Sequence, residues 1–214
     1  MSPAPKEDLA SEIAYVKTLA EEGRNAPLVG GVLYLVWGVV IGLAALATWI
    51  KAEIAPGLPE FVGGLAFWIA ALAIGWALSF FLGPRLGAKP GALTIGNRTA
   101  MSAWFGVGLF LLIYWVSLVF LHDRFSDEGV KPYALFGTMF PVAFGVYGIA
   151  FFATATAARL DWMRGFAIAA WIFSVATLYY FGEGRQLLLA AAGSFICAAL
   201  PGIILMRREP SDIV

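Results

Sequence analysis

Few residues in this chain are of types that do chemistry, and their spacing withholds most of it. The single histidine, His122, lies in "LHDRF" beside Asp123 and Arg124. An imidazole beside a carboxylate can relay protons or bind metal, but one interfacial His without further ligands is ordinarily a solvated side chain. The single cysteine, Cys197, rules out an intramolecular disulfide and any multi-cysteine metal site. Hydroxyls are more plentiful: Thr48, Ser79, Ser102, Ser117, Thr138, Thr154, Thr156, Ser174, Thr177 and Ser194 all lie in apolar surroundings. A nucleophilic hydroxyl needs a neighbouring base, and no His, Lys or Asp accompanies these. Their expected role is to bond the preceding helical turn. The glycine-rich stretch "GPRLGAKPGALTIG" lacks the Lys–Ser/Thr ending and the strand context of a phosphate loop, and reads as a flexible connector. In "RLDWMR", Asp161 is expected to cap a following helix. The expectation is a protein without catalytic, cofactor-binding or metal-binding residues: not an enzyme.

The elements that would carry these residues are apolar. The 214 residues are 61% hydrophobic and 13% charged, with equal numbers of acidic and basic groups. Soluble domains carry about 25% charged residues, so lipid is the solvent this composition suits. The zero net charge gives no basis for nucleic-acid binding. The stretch ahead of the first apolar run is acidic, unlike a secretory signal peptide. About 20 apolar residues cross a bilayer core as a helix. Six runs qualify: 28–50, 61–82, 100–121, 134–157, 165–181 and 187–206. None contains Asp, Glu, Lys, Arg or His, so proton-coupled transport, which needs such groups within spans, is disfavoured. Pro141 and Pro201 lie inside the fourth and sixth runs, where each removes a backbone donor and kinks its helix. The expected fold is all-α: a polytopic bundle of six transmembrane helices at 28–206, preceded by a cytoplasmic amphipathic helix within 1–27 and followed by a tail at 207–214.

Of the 14 Lys and Arg residues, Lys6, Lys17, Arg24, Arg85, Lys89, Arg98, Arg159, Arg164, Arg207 and Arg208 fall on the N-terminal side of this threading. Lys51, Arg124, Lys131 and Arg185 fall on the other. Positive residues stay inside, so both termini are expected in the cytoplasm. The openings "RTAMSAWF" (Arg98–Phe105) and "RGFAIAAWI" (Arg164–Ile172) share an Arg, small residues and a Trp. Three like-facing hairpins would explain that, but Arg and Trp anchors are common at helix ends.

Two further features concern contact. In "KEDLASEIAYVKTLAEEG" (Lys6–Gly23), Leu9, Ile13, Val16 and Ala20 form one apolar stripe at helical spacing. Five carboxylates, Glu12 among them, face only two lysines there, so anionic lipid repels this helix. It either folds back on the basic loop holding Arg85, Lys89 and Arg98, or docks on another protein or a second copy. Leu9, Glu12, Ile13, Val16 and Ala20 are the candidate partner-binding residues. In "GVVIG", Gly38 and Gly42 are candidates for close helix packing or self-association.

The segments "LAEEGRNAPLVGG" (Leu19–Gly31), "VYGIAFFATA" (Val146–Ala155) and "LPGIILMRREP" (Leu200–Pro210) carry a resemblance along the whole chain. In them it resembles a group of bacterial inner-membrane proteins that join a short acidic helix to a six-helix bundle. The resemblance implies that fold and a multi-pass setting in the inner membrane, and brings no activity or functional residue with it. Three functions then compete. The first is a regulatory or scaffold subunit whose N-terminal helix engages a partner. The second is a passive channel or carrier for a small neutral or apolar solute, with hydroxyls converging on one cavity. The third is a lipid-acting enzyme built from Arg85, Arg98, Arg159, Arg164 and Asp161 at the cytoplasmic face.

Overall fold

A computed structural model describes residues 12–16 and 27–209. Among them the protein is all-helical: α1 (Gly31–Ile54), α2 (Leu65–Gly87), α3 (Ile95–Asp127), a short α4 (Pro132–Gly137), α5 (Met139–Ala158), α6 (Met163–Tyr179) and α7 (Gly184–Met206). Five helical stretches are long and apolar enough to cross a membrane: α1, α2, α3, the stretch Ala134–Ala158 and α7. The protein is a helical membrane bundle in contact with lipid.

The apolar runs fall where the sequence puts them, but their ends move. Helix α3 has 33 residues and takes in Arg98, His122 and Arg124, because nothing in "GNR" or "LHDRF" breaks a helix. The glycine-rich connector is correspondingly short: α2 runs through Pro84 and Arg85 to Gly87, and α3 resumes at Ile95. Helix α6 has 17 residues, about 25 Å at 1.5 Å per residue, somewhat less than the hydrocarbon core. Asp161 does not cap it. The cap position is Trp162, no side chain bonds there, and Asp161 instead pairs with Arg164 at 3.2 Å.

Side by side, the helices follow the order α2, α1, α7, α6, α5, α3. They run alternately between two ends. One end, here the near end, gathers the start of α1, the α2–α3 loop, the α5–α6 turn and the residues after α7. The far end gathers the other turns. Half of the apolar window of α7 is buried, against 6% for α3, so α7 is the enclosed helix and α2 and α3 are the flanks.

Small residues let α7 in. Gly31 lies so close to Gly202 O and Met206 N that an added Cβ would stand 2.7 Å from each; one at Gly42 would stand 2.8 Å from the Phe195 ring. A Cβ at Gly38 would overlap Ala199 N. Opposite Gly38 and Gly42, α7 opens into a π-turn at Phe195–Ala199. Pro201 follows it, and an imino nitrogen leaves a carbonyl one turn back without its partner.

Candidate functional site

At the near end, Leu28 and Val29 are buried, so the backbone polar groups of residues 27–31 are withdrawn from water and need partners. Two side chains supply them. Asn97, in the first turn of α3 and 1% exposed, accepts a hydrogen bond from Val29 N–H (2.7 Å). Its amide group donates to Pro27 O (2.9 Å), Gly91 O (3.0 Å) and Thr94 Oγ1 (3.2 Å). Glu209, in the turn after α7, accepts from Gly30 N–H (2.9 Å) and Gly31 N–H (2.6 Å) through one oxygen. Its other oxygen pairs with the Lys89 ammonium.

That carboxylate replaces a missing cap. Residues 27–30, just before α1, offer no Ser, Thr, Asp or Asn, and Gly30 sits in the left-handed region at φ 117°. The first turn of any helix leaves N–H groups unpaired and carries a partial positive charge. Glu209 meets both needs from across the bundle, and Lys89 balances its charge. Beside it, the Arg208 guanidinium lies 5.2 Å over the Trp162 ring.

The far end repeats the device with Gln186, whose side chain is buried in the first turn of α7. Pro141 cannot donate to Gly137 O, one turn earlier, and Gln186 Nε2 donates to that carbonyl at 2.9 Å. It also donates to Thr177 O (3.0 Å). Pro141 O is in turn held by Ser174 Oγ (2.6 Å). Helices α1 and α7 thus lean on each other at both ends, since the Glu53 carboxylate of α1 packs against Gly184, the first residue of α7.

Between the ends the bundle is filled with rings and small residues. Tyr34 meets Trp104 edge-on at 4.6 Å, and Trp104 meets Phe151 at 4.8 Å and Tyr147 at 5.4 Å. Trp104 Nε1 donates to the buried Thr154 Oγ1 (3.1 Å). The Tyr34 hydroxyl approaches the same threonine but without bonding geometry, and it and Trp162 Nε1 are the buried side-chain polar atoms without a partner among the described residues. Most other hydroxyls serve their own helix: Thr48 bonds Ala44 O, Ser79 Gly75 O, Ser117 Ile113 O, Thr156 Phe152 O, Thr177 Phe173 O and Ser194 Ala190 O.

The structure describes part of the predicted set. Residues 12–16 are helical, with Ile13 at 61% and Val16 at 62% exposure and Glu12 exposed. Leu9 and Ala20 lie outside the described residues. Gly38 and Gly42 face α7 of the same chain. His122 is bonded to Asp123 (3.0 Å) with its ring over Phe136, and Cys197 is buried. Among the described residues no three His, Cys, Asp or Glu side chains converge. The two matching openings part company: Trp104 is in the core cluster, whereas Trp171 stacks on Phe152 toward the surface.

Asn97, Gln186 and Glu209 were not legible as a set. Asn97 and Gln186 sit just outside the apolar runs and Glu209 in a charged tail, and their partners are up to 179 residues away. The one local signal is that an amide at the edge of a membrane helix is costly unless bonded. No family model, curated protein or solved structure matches this chain significantly.

Proposed function

We propose that this is a non-enzymatic integral protein of the bacterial inner membrane, with six spans and both termini in the cytoplasm, acting as a regulatory or scaffold subunit. In this reading α6 is the sixth span, its short length made up by Arg164 at one end and by Tyr179 and Tyr180 at the other. The near end, which carries most of the Lys and Arg, faces the cytoplasm. The partner site is the apolar stripe of Leu9, Ile13, Val16 and Ala20 with Glu12 beside it.

The observation that carries this reading is the sequence pattern: one apolar stripe at helical spacing on a segment with five carboxylates and two lysines. The basic loop that could receive it has Lys89 committed to Glu209. The local use of the hydroxyls favours contact over passage, since a solute path needs polar groups turned inward.

A photo-crosslinking residue at position 13 or 16, incorporated in cells, tests the assignment. A discrete adduct with one other polypeptide is expected, lost from the position-13 probe when V16D is added and from the position-16 probe when I13D is added, and absent from a probe at Ser126. Adducts with lipid alone, or with the protein's own loop 88–94, contradict it. The competing passive-channel reading predicts faster solute-driven swelling of proteoliposomes in urea or glycerol, and we expect none above empty vesicles.

A further inference from the structure

Arg159 holds a backbone position that arginine does not favour. Among the described residues six have φ in the left-handed region, and five of them are glycine: Gly30, Gly63, Gly91, Gly129 and Gly182. The sixth is Arg159, at φ 55°, which closes α5 at the near end. Glycine takes that conformation without steric cost, whereas a side chain there carries strain. The turn itself does not require the arginine. It is closed by Leu160 N–H donating to Ala155 O (2.9 Å), a bond that glycine allows equally. The Arg159 side chain is exposed, and it has no carboxylate partner among the described residues.

From Arg159 the outer face of α5 continues through Thr156, Phe152 and Ile149, all exposed and at helical spacing. On α6, Arg164, Ile168 and Trp171 form a second exposed stripe. The two stripes meet. The Arg164 guanidinium lies 5.8 Å over the Phe152 ring, and the same ring stacks on Trp171 at 6.2 Å. Arg164 also pairs with Asp161, but both side chains are exposed, so that pair holds the guanidinium weakly. Trp171 stands about 10 Å inward of Arg164 along the helix, deeper than the interface where tryptophans gather. Its Nε1–H is committed to Gly145 O at 3.2 Å, which leaves the exposed part of the indole without a polar need.

We propose that the seam between α5 and α6 is a seat for an anionic phospholipid. Its phosphate lies between Arg159 and Arg164, and one acyl chain runs over Phe152, Ile168 and Trp171. Guanidinium forks match phosphate oxygens in pairs, and basic sites between membrane helices suit anionic headgroups. Only an amphiphile uses both ends of the seam. A soluble phosphate gains nothing from the apolar stripes, and the cationic headgroup of a zwitterionic lipid is repelled by the two arginines. Asp161 is the opposing charge at the seat and keeps its affinity below what the arginines alone would give. The seat rests on α6 crossing the membrane and not on any partner of the N-terminal segment.

Quenching of Trp171 fluorescence by lipids with brominated acyl chains tests this. The full chain is placed in phosphatidylcholine nanodiscs holding a minor fraction of brominated phosphatidylglycerol or brominated phosphatidylcholine with the same chains. Trp171 is one of eight tryptophans, so its share is the difference between the protein and W171F. Brominated phosphatidylglycerol should quench that share the more strongly. R159G should cut the preference about fivefold, the scale of one basic residue at an anionic surface, while raising the melting temperature of the delipidated protein in detergent. R159Q should lose the preference without the thermal gain, D161N should strengthen it, and R185A at the far end should leave it unchanged. Equal quenching by both brominated lipids keeps α6 in the membrane but overturns the seat. Quenching by neither removes α6 from the lipid and overturns both. A preference that survives R159G and R159Q, a fall in melting temperature in R159G, an equal loss in R185A, or displacement of the lipid by glycerol phosphate in solution also overturns the proposal.

Discussion

Single side chains decide how closely this bundle can close. At Gly38 an added methyl overlaps the backbone nitrogen of Ala199, and a backbone cannot step aside as a side chain can. Gly38→Val should push α1 and α7 apart and cost about 1–3 kcal/mol or more, the range of overpacked cores. Gly106, in the middle of α3, has open space around it. Gly106→Ala should stabilise by about 0.5–1 kcal/mol through the lower conformational entropy of alanine. Unfolding in mixed detergent micelles, followed by tryptophan fluorescence, should show the two shifts with opposite sign. Asn97→Leu preserves size but leaves Val29 N–H and the Pro27 carbonyl unpaired, while Gly91 O keeps its bonds from Thr94. A loss of about 1–3 kcal/mol per orphaned buried group is expected in the same assay. A neutral outcome would mean that water reaches these groups.

Among elements, α2 is the least secured relative to its length, since it packs chiefly on α1. Its polar tether is Trp37 Nε1 donating to Ser79 Oγ at 3.0 Å, with Gly75 one turn earlier receiving the Trp37 ring. Trp37→Phe keeps a ring over Gly75 and removes the donor. The expected effect is a loss of about 0.5–1.5 kcal/mol and faster amide exchange in α2 alone. Exchange that rises equally in α5 and α6 would show that α2 is not separately held. The same scale explains the prolines. Pro141 frees Gly137 O and Gln186 takes it, so the break between α4 and α5 is stitched by α7 rather than left to lipid. Apolar runs of this length announce helices before any contact is known. Their junctions do not, because which neighbour answers a freed carbonyl depends on packing.

At the scale of the molecule, the alternating course of the helices brings the start of α1 and the end of α7 to one end. Under the proposed threading, in which α6 is a span, that end is the cytoplasmic one. In protein lacking Cys197, cysteines at positions 85 and 207 should resist a membrane-impermeant thiol reagent in intact cells and react after permeabilisation. A cysteine at position 126 should react in intact cells. Labelling of 85 and 207 from opposite sides would remove α6 from the count of spans, and the reverse pattern would invert the protein.

Lipid compatibility, helical class and the approximate position of every long helix were present in the order of the residues. They follow from local composition, and a bilayer accepts an apolar run as a helix whatever surrounds it. The small-residue rows at Gly38 and Gly42 were equally visible, but not what lies against them, since α7 of the same chain and a second copy present similar surfaces. The commitments of Glu209, Asn97 and Gln186 became visible only in the folded bundle. A carboxylate in "RRE" reads as tail chemistry until α7 brings it to the uncapped start of α1. Electrostatic and hydrogen-bonding needs at a helix end are local, but the group that meets them here comes from the far end of the chain.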